Sequence, residues 1–305
     1  MKLLISLFLL SQLSLAATTE TTLSKKNQKK EEVIENPTLK TLSGSLNKMS
    51  LYSSFSYSAG SLDQPLGAER PNIREANETA SLVSMSGNMG LKYRMTKSDN
   101  LSLQMGLYST APFHDSLDTE NAKNKKDFDN NNKRWDADDY VLSYFKTYYI
   151  GELQNVSFLR YQYITRGIYR DYGYRYAMTF SHAAAYKINQ AAYIAASLTY
   201  DNYQYDATTN GTISLVPFQV KDALRSNLTA ELYLKRNMSL RLITELFSYS
   251  RARRETDIET RNLQQTIGFT YFYNRDISIA PNMRFIAEDL RTDRTNLGLN
   301  LNINI

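Results

Sequence analysis

The chain has no cysteine, and only 12 of its 305 residues are glycine, 6 are proline and one is tryptophan. The absence of cysteine excludes a disulfide scaffold, a thiolate zinc site and an iron–sulfur site. After the first fifteen residues, no apolar run approaches the roughly 18–20 residues that a membrane-spanning helix needs. A helical membrane protein is therefore excluded. A membrane β-barrel is not, because its apolar residues alternate with polar ones.

Tyrosine, by contrast, is abundant, with 23 residues that supply most of the aromatic surface. Charged residues make up 22% of the chain and hydrophobic residues 42%, which is an ordinary globular mixture and excludes a disordered or collagen-like protein. The formal net charge is +5.

The N-terminus has the pattern of an export signal. Met1 and Lys2 lead into the apolar stretch 3–10, which fades at Ser14-Leu15-Ala16. This pattern predicts a secretory signal peptide over residues 1–16, cleaved after Ala16; the alternative is a buried N-terminal helix. No cysteine follows the cleavage site, so the chain is not a lipoprotein.

Residues 17–43 are rich in threonine, lysine and glutamate and have no sustained apolar face. This composition predicts a disordered periplasmic arm. We expect a plain tether, the alternative being contact with peptidoglycan or a partner.

From residue 44 to the end, apolar and polar residues alternate with a period of two. The clearest case is the C-terminus, where leucine and isoleucine at odd positions 297–305 alternate with glycine and asparagine. Twelve such segments are present, at roughly 46–58, 82–95, 101–112, 140–149, 155–165, 174–186, 191–201, 223–235, 239–250, 261–273, 277–288 and 295–305.

The connections between these segments alternate in length. Those after even-numbered segments are tight, whereas those after odd-numbered segments are long, above all 60–80, 113–139 and 202–222. Short periplasmic turns and long outer loops are typical of a transmembrane barrel. The sequence therefore predicts an all-β fold, an antiparallel up-and-down barrel of twelve strands over residues 44–305.

Two further patterns favour the barrel over the alternative, a soluble periplasmic β-sandwich. Across the tight turn 236–238, apolar residues keep the same parity on both strands, as a hairpin requires. The outward tyrosines collect at strand ends, as in an aromatic girdle. These tyrosines are Tyr57, Tyr93, Tyr149, Tyr186, Tyr200, Tyr271 and Tyr273.

The closing segment Asn296–Ile305 resembles the C-terminal signal that the barrel assembly machinery reads, with Ile305 in place of the usual terminal aromatic residue. The chain as a whole resembles bacterial outer-membrane β-barrel proteins, and its strand number is similar to that of the monomeric twelve-stranded type, with no specific subfamily indicated. That type includes acidic-sugar and nucleoside channels, outer-membrane phospholipase and lipid A deacylase. The resemblance implies a monomer in the cell outer membrane of a Gram-negative envelope. Its partners would be the assembly machinery, outer-membrane lipids and lipopolysaccharide, with no nucleic acid.

The faces assigned to the interior carry more basic than acidic residues. The predicted pore-lining residues are Lys92, Arg94, Lys146, Arg160, Arg225, Glu231, Arg241, Glu245, Arg284 and Glu288. Confined basic residues concentrate and steer anions. We therefore expect a narrow channel for passive diffusion of small, anionic solutes. The alternative is a closed structural or surface-interaction barrel in which these charges pair, for example Glu231 with Arg241.

Other features give weaker predictions. Loop 113–139, which contains Trp135, is predicted to be solvated among lipopolysaccharide headgroups, or else to be a recognition loop or constriction. Its aspartates lack the glycine and closing glutamate of a calcium loop. Arg251, Arg253 and Arg254 are candidates for binding lipopolysaccharide phosphates.

An enzyme is not expected. The two histidines are His114 and His182, and Ser181 cannot form a dyad with His182 because neighbours in a strand point to opposite faces. His182 shares the face of Tyr176, Met178 and Phe180, which we assign outward; the alternative is the reversed facing of this strand. We predict no catalytic residue, no cofactor and no metal site; a lipid hydrolase is the third alternative.

Overall fold

The computed structural model describes residues 36, 38–39, 43–74, 80–114, 136–207, 209–210, 213–214, 219–252, 258–260 and 262–305. The predicted signal peptide and most of loop 113–139, including Trp135, lie outside the described residues, as do Arg253 and Arg254. Twelve long strands occupy most of the described chain. They are β1 (Met49–Ser61), β2 (Ser84–Arg94), β3 (Asp99–Thr110), β4 (Asp136–Ile150), β5 (Leu153–Tyr163), β6 (Tyr174–Lys187), β7 (Ala192–Tyr205), β8 (Val220–Lys235), β9 (Met238–Ala252), β10 (Gln264–Phe272), β11 (Ile277–Ile286) and β12 (Asn296–Asn304).

These strands form a closed antiparallel barrel, so the predicted fold is confirmed. Each strand pairs with its neighbours in sequence, and β1 pairs with β12 to complete the ring. In that last pairing Phe55 lies opposite Leu301. Because the sheet closes on itself, no edge leaves unpaired backbone groups, as a hydrocarbon surrounding requires.

The connections differ in length between the two ends of the barrel. At one end, which we call the turn end, the strands are joined by the short connections 95–98, 151–152, 188–191, 236–237 and 273–276. The opposite end, the loop end, carries the long connections and several short elements. These are the paired strands Glu69–Arg70 and Ser81–Leu82, the paired strands Thr209–Asn210 and Ile213–Ser214, strand Ile258–Thr260, which extends the pairing with β9, a short helix α1 (Gly167–Asp171), and 3-10 turns at Ala287–Asp289 and Thr292–Arg294.

The two faces of the wall differ sharply in chemistry. An outward row of leucines crosses four strands in register through Leu51, Leu91, Leu103 and Leu142, and each is 45–62% exposed. One position along, the corresponding inward row is Ser50, Lys92, Ser102 and Ser143, all buried. An apolar exterior and a polar interior are what a barrel surrounded by lipid and filled with water requires.

Exposed tyrosines lie at both ends of the wall, among them Tyr93, Tyr186 and Tyr273 at the turn end and Tyr200 toward the loop end. This distribution matches the predicted aromatic girdles. In the described part of the chain, no helix has the length and apolar character needed to cross a membrane.

Candidate solute pathway in the barrel lumen

Eight of the ten residues predicted to line a pore lie on the inner face of the wall. They are Lys92, Arg94, Arg160, Arg225, Glu231, Arg241, Glu245 and Arg284. Two further acidic residues on this face, Asp139 and Asp201, were missed by the sequence prediction. Together, these residues are six basic and four acidic side chains on the inner wall.

The other two predicted residues, Lys146 and Glu288, do not line the lumen, so the prediction was wrong for both. Lys146 is exposed on the outer face of β4, in register with Asp99 and Ser157. The error arose because β4 carries apolar residues on both faces: Val141 and Phe145 are buried inside, so alternation alone does not fix its orientation.

Glu288 belongs to the 3-10 turn Ala287–Asp289 and is exposed at the loop end. It lies beyond the inner wall because β11 ends at Ile286, two residues short of the predicted boundary.

A polar cavity of about 390 Å³ lies in the half of the lumen nearer the loop end. On one side Arg225 forms an ion pair with Asp201, which also accepts a hydrogen bond of 2.7 Å from the Thr179 hydroxyl. In this pair the arginine side chain is 46% exposed and the aspartate only 7%. The cation therefore faces the cavity, while the carboxylate is covered.

Asp139 and several tyrosines also line the cavity. The Asp139 carboxylate accepts hydrogen bonds from Gln162 and from the backbone N–H of Thr165 at 2.7 Å. Tyr174 packs edge-to-face against Tyr203, with ring centroids 5.7 Å apart, and α1 brings a further tyrosine to the lining. The cavity thus combines charged groups with aromatic faces, as small-molecule sites commonly do.

The loop between β1 and β2 folds into the lumen at the loop end; its residues 62–74 are called the mouth loop below. Arg74 reaches the far wall, where its guanidinium lies 2.7 Å from the Glu245 carboxylate. The Asn262 side chain donates to the Arg74 carbonyl at 2.6 Å, and the Asn296 side chain donates to the Pro71 carbonyl at 2.9 Å. The mouth loop is therefore held by β9, by the segment before β10 and by β12.

Arg70 anchors the base of the mouth loop. Its guanidinium donates to the carbonyls of Ala59 and Leu297, at 2.6 and 2.8 Å, beside the irregularity in the β1–β12 pairing. Burial, together with the nearby positive charge of Arg284, lowers the pKa of Arg70 to about 10. The group is still a cation at neutral pH.

At the turn end, the chain before β1 also enters the lumen. Asn36 and Thr38 both donate to the carboxylate of Glu231 on β8, at 3.3 and 2.6 Å, and the Ser239 hydroxyl donates to it at 2.9 Å. Asn36 is buried. These contacts place the described end of the predicted arm inside the barrel rather than free in the periplasm.

The other end of this segment is fixed to the opposite wall. The Gly44 carbonyl accepts hydrogen bonds from Arg94, at 3.2 Å, and from Arg275, and the Arg94 side chain also donates to the Ser45 carbonyl at 2.7 Å. Gly44 has a φ of +78°, and a Cβ there would lie 2.5 Å from Lys92 Nζ. The described part of residues 36–45 therefore spans the lumen from β2 to β8, and we call it the inner strap.

Neither inserted segment was predicted. Both are polar, and both are held by side-chain bonds to distant strands, which leave no periodic pattern in the sequence. The one local signal is Gly44, whose left-handed conformation is one that glycine adopts readily.

The histidines lie outside the lumen pathway. His114 is bound through Nε2 to the Leu66 carbonyl at 2.9 Å. His182 faces outward, as predicted, and its Nδ1 lies 3.1 Å from the hydroxyl of Ser157 on the adjacent strand. Sequence reasoning missed this pair because it depends on the register between β5 and β6.

Arg251 lies at the loop end, in an ion pair with Asp222. The lipopolysaccharide-binding role predicted for it stays a prediction.

A closed twelve-stranded antiparallel barrel with an apolar exterior and a polar, charged interior defines the fold of an outer-membrane β-barrel protein. No family model and no curated protein matches the sequence.

Solved structures do resemble the fold. An outer-membrane channel from Pseudomonas putida F1 has a TM-score of 0.53 at 9% identity, over 86% of this chain and 97% of that one. The NanC porin has a TM-score of 0.46 at 7% identity, over 84% of this chain and 98% of that one. The KdgM porin, solved with disordered oligogalacturonate, has a TM-score of 0.43 at 4% identity, over 84% of this chain and 99% of that one.

Proposed function

We propose that this protein is a monomeric channel of the outer membrane, through which small solutes diffuse passively without any catalytic step. The observation that carries the proposal is the largely polar, charged inner wall, which encloses a cavity of about 390 Å³. A barrel of eight strands is filled by its own side chains, whereas one of sixteen leaves a wide channel. Twelve strands leave room for a narrow path that loops and side chains restrict.

The proposal includes a preference for anions. In the Arg225–Asp201 pair the guanidinium is the exposed partner, and in the Arg74–Glu245 pair the arginine is again the more exposed, at 24% against 12%. A solute in the lumen therefore contacts the exposed guanidinium groups more than it contacts the carboxylates paired with them. In a confined passage this arrangement raises the local concentration of anions.

A second candidate function is a closed structural barrel, and the two inserted segments favour it. The mouth loop crosses the opening at the loop end, and the inner strap crosses the lumen at the turn end. Both are held by hydrogen bonds and an ion pair that side chains form, rather than by strand pairing with the wall. Such contacts are weak enough, individually about 1–3 kcal/mol, to exchange between bound and released states. We therefore favour an obstructed but conducting channel.

Conductance across planar lipid bilayers tests both functions. We expect discrete current steps from purified protein, with frequent closures, and a reversal potential in asymmetric salt whose sign indicates anion preference. A bilayer that stays sealed, with protein shown to be inserted, would leave the closed barrel as the function. A cation-favouring reversal potential would contradict the role given to the exposed arginines.

A further inference from the structure

The outer wall of the barrel carries a row of polar residues that the channel does not use. Asp99, Lys146, Ser157 and His182 lie opposite one another in consecutive pairings across β3, β4, β5 and β6. All four face outward, on the same face as the exposed side chains of Leu142 and Phe180 and of their outward neighbours. Elsewhere this face is largely apolar, so a continuous polar row is an exception.

The members of this row, called the outer polar row below, form a connected set of donors and acceptors. The Ser157 hydroxyl lies 3.1 Å from His182 Nδ1 and 3.2 Å from the hydroxyl of Tyr148. The Asp99 carboxylate accepts hydrogen bonds from Thr96, at 2.9 Å, from Ser98 at its own turn, and from the hydroxyl of Tyr144 on β4 at 3.4 Å. Among the described residues, no carboxylate forms an ion pair with Lys146.

The position of the row indicates which molecules reach it. Lys146 and Ser157 are each four residues from the turn end of their strands, which is about 10 Å along the barrel axis for tilted strands. A lysine on the lipid face is most destabilising at the bilayer midplane and least near the interface, and its long stem lets the ammonium reach toward the headgroups. The anions available there are lipid phosphates.

We propose that the outer polar row binds the headgroup of an anionic phospholipid in the leaflet at the turn end. The phosphate lies on Lys146, and the hydroxyls of Ser157 and Tyr148, together with the His182 ring, bond the glycerol and ester oxygens. This inference rests on the proposed membrane location but not on conductance.

The arrangement fits binding rather than acyl transfer. Ser157 lies within a strand that is paired on both sides, so its neighbourhood offers no pair of free backbone N–H groups to stabilise an oxyanion. A serine–histidine contact without such donors lacks a main part of a hydrolase.

Native mass spectrometry of the full-length mature protein, released from detergent after titration with phosphatidylglycerol or phosphatidylcholine, tests the proposal. We expect one tightly retained phosphatidylglycerol, preferred about tenfold over phosphatidylcholine. K146M should lose this preference, K146R should keep most of it, and S157A should retain intermediate binding. The matched control is K235M, which removes an exposed lysine from the turn end of β8.

Heat-modifiable migration on gels verifies that each variant is folded, which separates a lost site from a lost barrel. Equal retention by K146M and the wild type would overturn the proposal. So would displacement of the lipid by millimolar inorganic phosphate, which would identify a site for free phosphate instead. Release of lysophospholipid by the purified protein would overturn the assignment as a binding site and restore a hydrolase.

Discussion

Glu231 holds the inner strap, so replacing it tests whether the strap obstructs the channel. The E231Q variant keeps the shape of the side chain but replaces the charged carboxylate, which accepts hydrogen bonds from Asn36 and Thr38, with a neutral amide. A hydrogen bond to a charged group contributes about 1.5–3 kcal/mol, against about 0.5–1.5 kcal/mol for a neutral one. Losing about 1 kcal/mol from each of two bonds weakens the closed state by about 2 kcal/mol, roughly a 30-fold shift in the equilibrium.

Single-channel recording measures this shift directly. We expect the ratio of time in the larger conductance level to time in the smaller one to rise about 30-fold in E231Q. The control is E152Q, which removes the same charge from the exposed turn between β4 and β5. T38V should act in the same direction, and the double variant should show less than the sum of both effects, because the two residues share one bond.

Two results together would refute the reasoning about the strap. The E231Q recordings would match those of the wild type, and trypsin would cut the N-terminal segment equally slowly in both proteins. Faster cleavage without any change in conductance would mean that the strap is released but does not obstruct the path.

Three other perturbations test different parts of the lumen. Neutralising Arg225 or Arg241 should each lower the anion-to-cation permeability ratio about twofold, since one charge at about 8 Å in water is worth about 0.5 kcal/mol; reversal potentials in asymmetric salt measure it. G44A should raise the larger-conductance fraction, because a Cβ there would meet Lys92 Nζ at 2.5 Å and the φ of +78° is strained for alanine; the same recordings check it. Asp289 accepts a hydrogen bond of 3.1 Å from Arg294, which also donates to the Ile73 carbonyl of the mouth loop at 3.3 Å. Hydrogen bonding from Arg291 lowers the pKa of Asp289 below its ordinary value of 3.8, so the stabilisation that the carboxylate gives is complete above that pH and is lost as the pH falls through the lowered pKa; closures by the mouth loop should shorten at low pH in the wild type but not in D289N.

The strands were predictable because their pattern is local and repeated. An outward apolar residue at every second position, as in Leu101 and Leu103 of β3, is enough to assign a strand, its face and its partner's face across a turn. Where both faces carry apolar residues, as around Val141 and Phe145 in β4, the pattern loses its information, and Lys146 was assigned to the wrong side. The register with β3 resolves the ambiguity, and register is a property of two strands rather than one.

The contacts that fill the lumen were not predictable for a related reason. Glu231 and Thr38 are separated by 193 residues, and Arg74 and Glu245 by 171. Nothing in a polar segment of chain indicates which distant carboxylate it will meet. The sequence predicted that charges on the inner wall need partners, but its specific suggestion, Glu231 with Arg241, was incomplete: the two lie opposite in register, and the carboxylate is bonded to the strap.

Counting charges also gives a poor account of what a passing solute meets. The corrected lining omits Lys146 and Glu288 and includes Asp139 and Asp201. Basic residues are still in excess in it, but some arginines of the lumen are already bonded to groups of the protein. Arg94 is bonded to strap carbonyls, as Arg74 is to Glu245. What distinguishes the pathway is the partner that remains exposed, and in the Arg225–Asp201 pair that partner is the cation. Ion preference should therefore follow the exposure of individual guanidinium groups, so that D201N, which removes the carboxylate paired with Arg225 and its negative charge, should raise anion preference as R225Q lowers it.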